Sequence, residues 1–212
     1  MKNLRALFSL LLLSQVAFAQ GNITGKMETV FQYLNEDSII NAKQPVQKGL
    51  MNSYMNVFYT QGNFKAGMRF ESYLPRIQGY PNRFDGTGIG MRYVGYQNDF
   101  VDVTLGTFYE QFGTGLALRT YEDRNLGYDN LLDGMRIVLR PGKGFVVKGV
   151  YGTQRLSFQQ GQIVHGAGLV RGTDAEWHLN EGLDFLKDKK LDVVLGASFV
   201  SKFQEDDNPD WI

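Results

Sequence analysis

VDVTLGTFYEQFGTGLALRTYEDRNLGYDNLLDGMRIVLR, residues 101–140, is the stretch whose reading decides the fold. Val101, Val103, Leu105, Thr107 and Tyr109 make one mostly apolar face, and Asp102, Thr104, Gly106, Phe108 and Glu110 make the other, mostly polar or small. On the return, Met135, Ile137 and Leu139 alternate with Arg136, Val138 and Arg140. A period of two is the strand signature. Between the strands lies an insertion of about 23 residues, where a hairpin loop ordinarily takes 2–5. It carries Glu110 and Gln111 at its entrance, then Arg119, Tyr121, Glu122, Asp123, Arg124, Asp129, Asn130 and Asp133. Long loops that hold such chemistry are functional sites or disordered segments.

The same alternation recurs on both sides. Strands are predicted at 23–34, 53–61, 64–74, 87–97, 101–110, 134–140, 145–154, 165–179 and 191–202, with 156–164 read as loop or strand extension and 180–190 as a connection with a helical turn. The connections run long, short, long, short, very long, short, long, medium. Strands of about ten residues joined alternately by long loops and tight turns point to an outer-membrane β-barrel. The physical reason is that in lipid every backbone N–H and C=O must pair within the protein, so a sheet spans only as a closed barrel. A soluble sandwich or jelly roll shares the alternation. Strand length, the loop rhythm and the aromatics Tyr33, Tyr73, Tyr109 and Trp177 near strand ends, where an interfacial girdle belongs, weigh against it.

The expected fold is therefore all-β, an antiparallel up-and-down transmembrane β-barrel with about nine strands present. Bacterial single-chain barrels have even strand numbers. The segment 204–212 is acidic, contains a proline and lacks a closing amphipathic strand. These two features predict that the chain is the N-terminal part of a larger barrel.

Residues 1–19 read as a cleaved secretory signal, leaving 20–212 as the barrel domain. Lys2 and Arg5 are basic, the run 6–16 is apolar, and Ala17-Phe18-Ala19 is a cleavage pattern. The apolar run is shorter than the ~20 residues a spanning helix needs. With no cysteine in the chain, lipoprotein anchoring, disulfides and thiolate chemistry are excluded. Lys2 and Arg5 removed, 20 bases face 22 acids, so the mature net charge is about −2. That argues against nucleic acid as a partner. Abundant glycine (25) and scarce proline (5) suit long strands.

Catalytic patterns are poor. His165 and His178 are the two histidines, and neither a nucleophile-elbow nor a zinc-protease motif occurs. The segment 123–129 faintly suggests a calcium loop but lacks the carboxylate spacing and the closing glutamate. No enzyme activity, cofactor or metal is expected. Charges predicted to face the lumen are of both signs: Lys26, Glu28, Lys65, Arg69, Glu71, Arg92, Asp102, Arg136, Arg140, Lys148, Asp174 and Glu176. Strongly selective pores carry rings of one sign, so a mixed lining fits a weakly selective water-filled lumen or a barrel braced by internal ion pairs.

Tyr109-Glu110-Gln111-Phe112-Gly113, Gly115-Leu116, Leu118-Arg119 and Tyr121-Glu122-Asp123-Arg124, taken with the signal and the strand rhythm, resemble a family of Bacteroidota outer-membrane β-barrel proteins known mainly as a domain of unknown function. The resemblance covers the whole mature chain. It implies a barrel in the outer membrane, longer members and no firmly assigned chemistry. Two functions are expected from these readings together. The first is porin-like passive transport of small solutes, with outer-membrane lipid around the barrel. The alternative is a scaffold barrel that binds other outer-membrane proteins through its outer loops. The insertion at 111–133 is expected to fold back into the barrel mouth as a constriction, because Phe112, Leu116, Leu118, Leu126, Leu131 and Leu132 are too apolar for a freely solvated loop.

Overall fold

The computed structural model describes residues 21–36, 38–41, 43, 46–187, 189 and 192–204; the predicted signal and the acidic segment 205–212 lie outside the described residues. The alternating stretches form β1 (Asn22–Tyr33), β2 (Gly49–Gln61), β3 (Phe64–Tyr73), β4 (Gly86–Gln97), β5 (Val101–Phe108), β8 (Leu132–Gly142), β9 (Phe145–Gln159), β10 (Gln162–His178) and β11 (Val194–Phe203). Two short strands, β6 (Glu122–Asp123) and β7 (Tyr128–Asp129), lie inside the long insertion. The nine long strands make one sheet in chain order, β5 beside β8, every pairing antiparallel. Helix among the described residues is limited to one turn, α1 (Leu179–Gly182), and a 3-10 turn at Asp184–Leu186, and no helix is long and apolar enough to cross a membrane. The sheet is not closed: β1 pairs only with β2, and β11 only with β10.

The two faces of the sheet are inverted relative to a water-soluble protein. Ile23, Met27 and Phe31 of β1, Phe64 of β3, Leu105 of β5, and Leu195 and Phe199 of β11 are exposed. The opposite face buries Asn52, Asn56, Arg69, Glu71, Asp102, Thr104, Arg155 and Asp174. That polar face is concave. On a flat sheet β3 and β9 stand four spacings apart, roughly 19 Å at ~4.8 Å per spacing. Yet Arg155 of β9 reaches Glu71 of β3 at 2.7 Å.

Where the structure departs from simple alternation, a local cause is visible. Arg69 stands opposite Met91 and Phe70 opposite Ile89, so Gly90 is bulged out of register. A one-residue bulge transfers every later side chain to the other face. Ile89 stays on the apolar face, but Met91 and Tyr93 turn to the polar one, and Arg92, Val94 and Tyr96 turn outward. Arg92, predicted to face the lumen, is thus corrected to the apolar face: it stands opposite the exposed Met68 and pairs with Asp133 at 3.0 Å. Glycine is required at the bulge, because a Cβ at Gly90 would lie 2.1 Å from the Glu71 carboxyl group.

Of the two readings of the segment 156–164, the strand extension holds. β9 and β10 continue through it to a two-residue turn at Gln160-Gly161, both with positive φ (52° and 78°). The reason is tertiary. β5 ends at Phe108 and β8 begins at Leu132, which leaves the wall low beside β4, and the β9–β10 tip leans across to fill it. Asp85 N–H donates to Phe158 O at 2.7 Å, and Phe158 N–H to Arg83 O at 2.9 Å. Of the expected girdle aromatics, Tyr33 is exposed and Trp177 stacks on Phe145 at 4.8 Å. Tyr73 and Tyr109 instead point inward, Tyr73 into an aromatic cluster with Tyr54, Phe84 and Phe158.

Candidate functional site: a loop laid across the polar face

The β5–β8 connection folds as two hairpins onto the concave face. The first runs over residues 110–120. Phe112 N–H donates to Leu118 O at 3.0 Å and Thr120 N–H to Glu110 O at 3.0 Å, closing it. Gly113 and Gly115 turn its tip at positive φ (49° and 89°), where a side chain is strained. It lies along β8–β10. Phe112 is buried against Phe108, Leu132, Val150 and Val170. Its ring sits over Gly172, where a Cβ would come within 2.7 Å of it. Glu110 is gripped by Arg136 and lies 3.9 Å from Lys148, which also donates to Gln111 O at 3.1 Å.

The second hairpin, β6–β7, reaches the opposite wall. Glu122 accepts from Arg69 of β3 at 2.9 Å. Arg124 bonds Glu28 of β1 at 2.9 Å and lies over the Tyr54 ring of β2, 4.1 Å from its centre. Asp123 caps its own turn by accepting from Asn125 and Leu126 N–H. Asp129 takes three partners: Arg155 at 2.8 Å, the Tyr109 hydroxyl at 3.0 Å and Leu131 N–H at 3.1 Å. Asn130 ties the halves of the loop together, its Oδ1 accepting from Tyr121 N–H at 2.7 Å and its Nδ2 donating to Arg119 O at 3.3 Å. Arg119 forms no ion pair among the described residues; its guanidinium lies over the Tyr121 ring at 5.0 Å.

Burial pushes the Asp129 carboxyl above its ordinary range, with Arg155 pulling against it and the charges of Glu71 and Glu122 adding to it. Burial likewise raises the Tyr109 hydroxyl, so it stays a donor to Asp129. Burial alone would lower Arg124, but Glu122 and Glu28 outweigh that and hold it above the usual arginine range.

Of the loop residues singled out from sequence, Glu110, Glu122, Arg124 and Asp129 meet the polar face through Glu28, Arg69, Arg136, Lys148 and Arg155, whereas the side chains of Gln111, Arg119, Tyr121 and Asp123 contact only the loop itself. Glu176 lies 3.5 Å from Lys148 on the same face. Lys26 is exposed at its edge, 3.7 Å from Glu28. Arg92 is absent from this set for the reason given above. The residue that sequence reasoning missed is Arg155, whose side chain is 0% exposed. It holds Glu71 with two hydrogen bonds (3.1 and 2.7 Å), Asp129 with a third, and the Gly90 carbonyl at 3.3 Å. It stands one residue past the predicted end of its strand. The Leu156-Ser157-Phe158 that follows continues the alternation and was the available signal. No three of the described His, Asp and Glu side chains are grouped to hold a metal ion, and the segment 123–129 is the β6–β7 hairpin.

A family model described as a family of unknown function (DUF6029) matches residues 1–210. Among solved structures, the crystal structure of a BenF-like porin from Pseudomonas fluorescens Pf-5 aligns with 86% of this chain and 50% of that one, at 14% identity and a TM-score of 0.44. The chain therefore spans half the length of that porin. No curated protein matches the chain.

Proposed function

The chain belongs to that family of unknown function, and from this premise we propose that it forms part of the wall of an outer-membrane pore whose lumen is narrowed by the 109–131 loop, admitting small solutes passively. One observation carries the reading: a continuous sheet exposes apolar side chains on its convex face and buries paired charges on its concave one. Lipid is the environment that suits the first face, and a water-filled lumen the second. The loop supplies the constriction, since it ties β1–β3 to β8–β10 across that lumen through Arg124–Glu28, Glu122–Arg69 and Glu110–Arg136. The reading requires the open edges of β1 and β11 to pair with further strands in the bilayer, because unpaired backbone groups are too costly in lipid. It asks no catalysis of the site.

Single-channel recording of the intact protein in planar bilayers tests it. Deleting Thr114 to Tyr128 should raise the conductance. If the protein inserts and conducts nothing, the pore reading fails. The scaffold reading then gains, and stoichiometric partners should appear in pull-downs from detergent extracts. If it conducts and the deletion changes nothing, the loop is not the constriction.

A further inference from the structure

Arg171 stands on the apolar face of β10 and is exposed. Its strand neighbours on that face are Leu169 and Thr173, while Val170, Gly172 and Asp174 are buried on the concave side. Across the sheet it lies between Tyr151 of β9 and Ser201 of β11. Trp177, stacked on Phe145 at the short-turn end of the sheet, is six residues away. At ~3.3 Å per residue and a tilt of ~40°, that is a height of about 15 Å, inside an apolar band ~25 Å tall and nearer its long-loop side. Phe203, opposite Leu169 and 75% exposed, is one step higher.

An ionisable group in the apolar layer is costly and needs a partner. Arg92, which the bulge at Gly90 turns to the same face, has Asp133 at 3.0 Å. Arg171 has no carboxylate and no hydrogen bond among the described residues; its guanidinium lies over the Tyr151 ring, 5.8 Å from the centre. That contact covers one side of the guanidinium and leaves its N–H groups free to donate. Beside it the convex face carries a groove of about 360 Å³, lined by Ala167, Leu169, Arg171, Ser201 and Phe203. The groove extends to the long-loop side of Arg171, the side toward which a long basic side chain snorkels to the nearer interface.

We propose that Arg171 and Ser201 hold a phosphate group of an outer-leaflet glycolipid, whose sugar ring lies in the groove against Leu169 and Phe203 and whose acyl chains descend past Phe199 and Leu195. The unpaired guanidinium calls for an oxyanion, and its forked N–H groups match the oxygens of a phosphate. The height brings the side chain toward the headgroups at the long-loop end. A groove of this volume takes a ring, and the exposed Phe199 and Leu195 continue the path on the same face. The proposal rests on the reading that the convex face meets lipid, and it needs no conduction.

Native mass spectrometry of the intact protein in detergent, titrated with lipid A, tests it, with lipid A stripped of its phosphates and phosphatidylglycerol for comparison. Lipid A should bind, and the stripped form should bind about tenfold or more weaker, as expected for one charge-assisted contact; phosphatidylglycerol should also be weaker. Arg171→Gln should lose a similar factor for lipid A, and Arg92→Gln should lose none. Equal binding of lipid A and its stripped form, an affinity unchanged in Arg171→Gln, or an equal loss in both arginine variants overturns the proposal. So does binding of phosphatidylglycerol as tight as that of lipid A. Should Arg171→Gln fail to assemble, Ser201→Ala replaces it, with weaker lipid A binding expected and unchanged binding overturning the site. If lipid A binds only after Glu205, Asp206 and Asp207 are replaced by their amides, the groove belongs to the chain's own acidic segment and the proposal falls. Lipid A held through Arg171 by a protein that conducts nothing keeps this site and removes the pore. Conduction without phosphate-dependent binding removes the site and keeps the pore.

Discussion

Arg155→Met is the sharpest perturbation of this structure. Methionine fills much the same volume without charge. Three charge-assisted hydrogen bonds disappear, two to Glu71 and one to Asp129, with lengths of 3.1, 2.7 and 2.8 Å. Each such bond is worth about 1.5–3 kcal/mol, but the sum overstates the loss, because both carboxylates keep other partners. Glu71 retains the Tyr73 hydroxyl at 2.9 Å and Arg69 at 3.8 Å; Asp129 retains Tyr109 and Leu131. What remains is the cost of leaving a buried charge short of its counter-ion, about 3–5 kcal/mol. Urea titrations of folding into lipid vesicles, followed by tryptophan fluorescence, measure it. Removing Glu71 as well, in Arg155→Met with Glu71→Met, should recover part of the loss, since one orphaned carboxylate goes with it. A single-variant loss below ~1 kcal/mol, the level of an exposed pair, would refute the reading of Arg155 as the clamp between loop and wall.

Three further outcomes follow from particular residues. Gly172→Val leaves no room for the Phe112 ring; it should unseat the 110–120 hairpin and raise single-channel conductance with unchanged β-sheet circular dichroism, and an unchanged conductance counts against the seat. Leu195→Arg, on the apolar face, should cost ~2–4 kcal/mol if the site lies near the bilayer midplane, whereas Val194→Arg, which points to the concave face beside His178, should be milder; equal losses in refolding titrations contradict the two-face assignment. Mass spectrometry of the mature protein should find Gln20 at the N-terminus, and retention of Met1 or Lys2 would dispose of the predicted signal.

The strands and their two faces were legible in the sequence because alternation is a local property. Leu195, Ala197 and Phe199 share a face whatever lies elsewhere in the chain, and a run of such strands with no intervening helix leaves little but an antiparallel meander. The apolar content of the insertion also showed that it needed something to cover. Which wall it covers was decided only in three dimensions, by partners far apart in sequence: Arg124 lies 96 residues from Glu28, and Arg155 lies 84 from Glu71. Neither pairing leaves a periodic trace. The turning of Arg92 to the apolar face hangs on a single bulged glycine, whose missing side chain makes space for a carboxylate on the neighbouring strand. The β9–β10 tip read as loop or strand extension because its turn residues and polar side chains suit either. It is strand because β9 and β10 go on pairing with each other as far as Gln159 and Gln162, and the tip they form docks on the backbone of residues 83–85 beside the short β5. Side-chain alternation is written residue by residue, but register and docking depend on which distant backbone and charge stand opposite, and the tertiary structure alone sets that.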